Sequence, residues 1–379
     1  MTRQPIRHRI HLLRLEWPLL VSIATTVLFL VFGNVWLADL SHPQWFGVML
    51  AWLFGAIFVS AFAVVRHAEA LAVRLGEPYG TLVLTLSMSG MEMMMITAVM
   101  YSGASESSLA RDTMFAIVMI VLNGLAGASL LLGGLRYHEQ IYNLYGANAF
   151  LAVLLPLAVL ALVLPSFTQS SPGPTLAPLQ SSFLIVMSVG LYGVFLAIQT
   201  VSHRDYFVAP AAGIQRNSTA EDVHAGLHVD STAYHTVLLL GYAVPIVLLA
   251  KQIATPIDYG IRVLGAPPAL GGLLVAVLIL SPESLAAVRA ALANQLQRSI
   301  NLALGTALTS ISLTVPAVLI IGFLTDKTII LGLDPANIVL LLLSLVIAML
   351  TYALERTNVL LGAVHLLLFL AYLMLIFQR

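Results

Sequence analysis

GEPYGTLVLTLSMSGME, residues 76–92, is the stretch that decides the fold, together with its distant echo APPALGGLLVAVLILSPES, residues 266–284. Each is an apolar run that ends in a carboxylate. Gly80 lies 12 residues before Glu92, and Gly271 lies 12 residues before Glu283. Downstream of each acid comes an arginine, Arg111 or Arg298, and then a run of small and polar residues. Asn123 and Ser310 stand at the same distance from those arginines. Residue identity between the segments is low, so the spacing carries the comparison.

The surrounding sequence is as apolar as these two stretches. Of 379 residues, 60% are hydrophobic and 9% charged, against about 25% charged in ordinary globular chains. Mean hydropathy is +0.97. Water cannot be the only solvent for such a surface. Net charge is zero, so nothing points to nucleic acid. The absence of cysteine excludes disulfides and thiolate metal sites.

A spanning helix needs about 20 mostly apolar residues. The runs that qualify are 15–33, 43–65, 79–101, 112–135, 147–165, 181–201, 232–251, 268–288, 300–325, 335–353 and 357–377. No run alternates with period two, which argues against a barrel. Four arginines (Arg3, Arg7, Arg9 and Arg14) precede the first run, and no clean small-residue cleavage site follows. That reads as a retained helix rather than a removed signal. The expected fold is therefore all-α and polytopic, with about 11 transmembrane helices.

With the N-terminus in the cytoplasm, the inside loops hold Arg3, Arg7, Arg9, Arg14, Arg66, Arg74, Arg136, Arg204, Arg216, Arg289, Arg298 and Arg356. The outside holds Arg111, Lys251, Arg262, Lys327 and Arg379. That bias predicts N-in, C-out and an odd helix count. The polar stretch 202–231, with Arg204, Asp205, Arg216, Glu221, Asp222 and Asp230, reads as a cytoplasmic linker between halves. The uncharged SFTQSSPGPTLAPLQ, 166–180, suits a short external connection. The division is then 1–40 as an N-terminal cytoplasmic segment with an extra helix, 41–201 as one five-helix repeat, the linker 202–231, and 232–379 as the second repeat. An odd number of helices per repeat forces the two to insert in opposite senses, which is a transporter architecture.

Glu92 and Glu283 are the two acids well within the expected spans. Intramembrane carboxylates are costly and mark ion or proton paths. Two facing carboxylates make a hard-oxygen cation site and a coupled pair of proton sites. Competition of cation and proton for the same oxygens is the physical basis of antiport. The plainer reading is a pair of protonated glutamates that only hydrogen-bond between helices. Gly90 and Pro282 flank the acids and predict helix breaks that free backbone carbonyls; the alternative is an ordinary kink. Ser87 and Ser89, Asn123, Ser281, Thr306 and Ser310 are candidate ligands or cavity-lining groups, with Thr85, Ser284 and Thr309 behind them. Such hydroxyls also serve as packing glue.

His224, His228 and His235 sit in or just after the linker, as loop histidines or as a pH- or metal-sensing group. His365, mid-span, reads as a packed and hydrogen-bonded histidine. Met91, Met93, Met94 and Met95 read as gap-fillers. No resident cofactor is expected. The partners expected are the lipid bilayer, small cations and protons, with homo-oligomer formation left open.

Four strings carry a resemblance: GEPYGTLVLTLS from Gly76, RDTMFAIVMIVLNGLAGASLLLGG from Arg111, LILSPESLAAVRAALANQLQRSINLALGTALTSISLTVP from Leu278, and ERTNVLLGAVHLLLFLAYLM from Glu355. In these the chain resembles the cation/proton exchangers of the CAX type, and among them the bacterial ChaA-type sodium(potassium)/calcium–proton antiporters. The resemblance implies one N-terminal helix plus two inverted five-helix repeats in a bacterial cytoplasmic membrane. It also implies one functional glutamate per repeat, mapping to Glu92 and Glu283, which bind cation and proton alternately. The family's Gly-Asn before each acid is here Met88–Ser89 and Ile279–Leu280, and its GSS-x-Q stretch is GTALT from Gly305. These departures remove neutral oxygen ligands and leave Na⁺ or K⁺ beside Ca²⁺ as cargo. An exchanger coupled to Na⁺ is the nearest rival. An intramembrane enzyme is the distant one, since no H-E-x-x-H or G-x-S-x-G motif lies in a span.

Overall fold

The computed structural model describes residues 16–76, 79–102, 108–210, 231–354 and 356–378. Eleven long helices account for almost all of them: α1 (Trp17–Trp36), α2 (Pro43–Leu75), α3 (Tyr79–Ser102), α4 (Leu109–Tyr137), α5 (Leu144–Ser166), α6 (Pro178–Ser202), α7 (Thr232–Arg262), α8 (Pro268–Leu292), α9 (Leu296–Thr325), α10 (Pro335–Thr351) and α11 (Val359–Phe377). Ten are long and apolar enough to cross a membrane, and α10 is a shorter apolar helix of 17 residues. The all-α polytopic reading therefore stands. A two-residue antiparallel ladder, β1 (Gln140–Ile141) with β2 (Arg356–Thr357), joins the segments that follow α4 and α10.

Two helices outrun their apolar stretches. The expected second span ended at 65, yet α2 continues to Leu75 through Arg66, His67 and Glu69. The expected seventh ended at 251, yet α7 continues to Arg262 with Pro245 and Pro256 inside it. Hydropathy marks where apolar residues stop, not where the backbone stops being helical. In α7 an Asp258–Arg262 pair at i,i+4 (2.8 Å) supports the last turns. The 166–180 connection is also tied down. Ser166 Oγ donates to Leu333 O at 2.6 Å, and the amides of Leu331 and Gly332 donate to Pro174 O.

Close helix approach depends on small residues, as expected where lipid gives no hydrophobic drive between helices. A Cβ at Gly127 of α4 would stand 2.9 Å from the Leu366 amide nitrogen of α11. One at Gly272 of α8 would stand 2.6 Å from the Asp112 backbone of α4. Glycine thus seats α4 between α8 and α11.

The expected breaks at Gly90 and Pro282 are not found. Helices α3 and α8 run unbroken past both acids. Proline costs the helix one amide donor, and α8 absorbs that without unwinding. The irregular turns lie in the neighbouring helices instead: a π-turn at Ile120–Leu125 in α4 and another at Ser310–Thr314 in α9. Each contains one member of the pair Asn123 and Ser310 that the spacing had matched. Further π-turns occur at Val159–Val163 and Ile198–Ser202.

Helix α1 is strapped to α2 and α7 through Glu16. Its carboxylate accepts from Arg66 Nη2 at 2.8 Å and from Tyr242 OH at 2.8 Å, and His67 Nε2 lies 3.4 Å away. His67 Nδ1 in turn faces His235 Nδ1 at 2.9 Å. His235, expected as a linker histidine, is therefore buried in the first turns of α7, while His224 and His228 lie outside the described residues, as do Arg3, Arg7, Arg9, Arg14, Arg216, Glu221, Asp222 and Asp230.

Burial pushes the Glu16 carboxyl up, but the hydrogen bonds from His67 and Tyr242 and the charges of Arg66 and His67 outweigh it and hold it at about 2 instead of 4.5. A carboxyl depressed in the fold adds stability above its unfolded value, and that stability is lost as pH falls toward the folded value. Glu16→Gln is therefore expected to lower the melting temperature in detergent at pH 7. The gap from wild type should narrow as pH descends from 4.5 toward 2, read by intrinsic fluorescence.

Candidate functional site

The two acids meet on one cavity. It has a volume of about 940 Å³, and its wall includes both Glu92 of α3 and Glu283 of α8. Both carboxylates are buried, at 4% and 8% exposure. Their settings differ. Ser310 Oγ donates to Glu92 Oε2 at 2.7 Å, and Thr314 Oγ1 donates to Oε1 at 2.9 Å. Glu283 Oε2 has no hydrogen-bond partner among the described residues. Ser89 Oγ, on the same cavity and three residues before Glu92, is likewise without one. Buried polar atoms are nearly always satisfied. Two unpartnered hard oxygens on one wall are atoms of the kind that ligate a hard cation.

The π-turn in α9 supplies the geometry at Glu92. Ser310 and Thr314 are its first and last residues and point to the same carboxylate. In the register that matches Arg111 to Arg298, their counterparts are Asn123 and Gly127. Gly127 has no side chain to offer, and Asn123 is engaged elsewhere. Asn123 Nδ2 donates to Ser344 Oγ at 2.7 Å, so its Oδ1 accepts from His365 Nδ1 at 3.1 Å. In a neutral ring with the proton on Nδ1, His365 Nε2 accepts from Thr351 Oγ1 at 3.0 Å. The unequal hydrogen bonding of the two acids follows from these local differences.

Of the candidate ligands, Ser89, Thr306 and Ser310 line the cavity, as do Thr85 and Thr309. Three do not. Asn123 is spent in the Ser344–His365 network. Ser87 and Ser281 each stand two residues before a lining residue, Ser89 or Glu283, so a helix turns them about 200° away from it. Ser281 Oγ donates to the Val277 carbonyl of its own helix instead. Ser284 is also off the cavity.

Two contributors escaped the sequence reading. Thr314 lies four residues after Ser310, a helical neighbour that the spacing rule marks. Glu69 lines the cavity as a third carboxylate. It went uncounted because the second span was expected to end at 65. The cavity also reaches Phe207, Val208, Gln295, Arg298 and Asn301, so it extends from the acids to the end of the bundle where α9 begins. Among the described residues no group of three or more His, Asp or Glu is arranged to hold a resident metal.

A helical membrane bundle with paired acids on one internal cavity is the design of an ion transporter rather than an enzyme. The chain belongs to the family of sodium/calcium exchanger proteins, which it matches over residues 45–201 and 234–378. It is 41% identical to the "Sodium-potassium/proton antiporter ChaA" of Escherichia coli (strain K12) over 94% of this chain and 96% of that one. A "Ca(2+)/H(+) antiporter" of Aphanothece halophytica is 24% identical over 77% of this chain and 80% of that one. Among solved structures, that of YfkE superposes with a TM-score of 0.72 at 16% identity, covering 95% of this chain and 99% of that chain.

Removing a donor from a charged acceptor costs about 1.5–3 kcal/mol, or roughly ten- to hundredfold in affinity. Ser310→Ala is expected to change the apparent KM for the transported cation by about tenfold. Asn123→Ala should act on stability alone. It strands His365 and Ser344, lowers stability by about 1–3 kcal/mol, and leaves KM unchanged.

Proposed function

We propose that this protein is a secondary antiporter that exchanges a cytoplasmic cation, Ca²⁺ and/or Na⁺/K⁺, for protons across the bacterial cytoplasmic membrane. Glu92 and Glu283 bind cation and protons alternately. The observation that carries the reading is their position on one cavity, with Glu283 Oε2 and Ser89 Oγ unpartnered there. Two negative charges held together out of water repel strongly. A cation or protons relieve that repulsion, and both cannot occupy the same oxygens at once.

The repeat reading supports this. Twelve residues from Gly80 or Gly271 to its acid is about 18 Å of helix, near the middle of a core about 30 Å thick. Helices α2–α6 and α7–α11 form the two inverted sets, with α1 outside them. The arginine bias favours N-in and C-out, which turns the α9 end of the cavity, with Arg298, to the cytoplasm. Cation enters there and leaves when protons from the outside neutralise the acids. The higher pH inside then strips the protons from the returning site.

Proton coupling is favoured over sodium coupling because the two named relatives differ in cation and share the proton. Relief of a fluorescent pH quench in everted vesicles, scanning Ca²⁺, Na⁺ and K⁺, tests the scheme. Glu92→Gln and Glu283→Gln, inserted at wild-type levels, are each expected to abolish exchange. Wild-type rates in either variant would contradict the mechanism, and exchange that required sodium in place of a pH gradient would favour the sodium-coupled rival.

A further inference from the structure

A second cavity, about 560 Å³, lies at the flank of the bundle between α1, α2 and α8. It plays no part in the exchange scheme. One stretch of its wall is apolar: Phe58, Val59 and Phe62 from α2, facing Pro282 and Leu285 of α8. Phe54, Phe58 and Phe62 form an aromatic ladder along α2, with ring centroids 6.1 Å and 5.0 Å apart. The other end is charged, with Arg66 and Glu69 of α2 and Arg289 of α8. Trp17, half exposed at the start of α1, stands beside it.

The order along the helices is what a lipid presents. From Phe58 to Arg66 is eight residues, about 12 Å of helix. Along α8, Leu285 precedes Arg289 by one turn in the same sense. Apolar walls therefore lie toward the bilayer centre, and the charges and the tryptophan lie at headgroup level, where aromatic residues gather. Arg66 is already bonded to Glu16. Arg289 is exposed, and among the described residues its guanidinium makes no hydrogen bond or ion pair. Its guanidinium suits a phosphate diester, and a carboxylate, Glu69, lines the same end. Arg289 and Glu69 set a guanidinium and a carboxylate on the same wall, which suits a headgroup that carries both signs.

We propose that this flank cavity seats a phospholipid whose headgroup is zwitterionic and bears a primary ammonium, a phosphatidylethanolamine. Arg289 binds its phosphate, Glu69 accepts from its ammonium, and the Phe58–Phe62 wall holds the top of an acyl chain. The seat is not remote from the ion path. Val65, Glu69 and Ala286 line both cavities, so the lipid headgroup and the ion cavity share one wall. An anionic lipid fits less well, because Glu69 would face its charge.

The test reads bound lipid on the purified full-length protein, so it is independent of which ion the protein carries. Delipidated protein is offered phosphatidylethanolamine, phosphatidylcholine or phosphatidylglycerol, and the retained adducts are measured by native mass spectrometry. The expected result is preferential retention of phosphatidylethanolamine by the wild type. Arg289→Gln should lose retention of all three, while Arg289→Lys keeps it and shows that charge, not folding, is read. Glu69→Gln should keep phospholipid but lose the preference for ethanolamine over choline. Equal retention by wild type and Arg289→Gln would overturn the proposal. So would a wild type that does not distinguish ethanolamine from choline, or one that prefers phosphatidylglycerol.

Discussion

A carboxylate kept out of water must be compensated, and that requirement organises this molecule. Glu92 is met by two hydroxyls from α9. Glu283 is buried with one oxygen that nothing among the described residues satisfies. The helix that serves Glu92 widens into a π-turn there, and the first and last residues of that turn, Ser310 and Thr314, meet one carboxylate. The helix matched to it in the other half has its π-turn too, but there Asn123 turns to His365 and Ser344. One acid is thus held in a hydrogen-bonded setting, and the other keeps an unpartnered oxygen that the proposed scheme assigns to the cargo. A site that must release its ion gains from that inequality, since ligands satisfied on every side would hold the resting state too firmly.

Glu16 obeys the same rule outside the transport core. It lies at the start of α1 and is matched by Arg66, Tyr242 and His67 from two other helices. A single acid thereby fixes a helix that belongs to neither proposed repeat. The contact helps to continue α2 as helix past Arg66 and His67. Their partners, Glu16 and His235, lie at the starts of α1 and α7, outside any local window of sequence.

Much of this was legible in the chain. Apolar runs of sufficient length give eleven expected spans, and each of the eleven long helices among the described residues overlaps one of them. The two acids stood out because carboxylates are rare inside such runs. Two kinds of feature were not legible. Helix ends depend on tertiary partners, so α2 was cut short and Glu69 with it. The irregular turns were placed at Gly90 and Pro282, where composition suggests a break, although α3 and α8 stay regular there. The widening occurs at Asn123 and Ser310, whose side chains are drawn to partners on other helices. Rotation about the helix, by contrast, is legible: Ser87 and Ser281 stand two residues from lining positions and face away, whereas Thr314 stands about one turn from Ser310 and shares its carboxylate.

The central claim is that a metal ion and protons displace one another from the same pair of carboxyl groups. Infrared difference spectroscopy of the purified protein, with and without added Na⁺ or Ca²⁺, reads this directly. The account predicts that cation binding removes the absorbance of protonated carboxyl groups and raises that of carboxylate, and that Glu92→Gln combined with Glu283→Gln erases the change. A saturable cation signal that leaves the protonated carboxyl band untouched would contradict it.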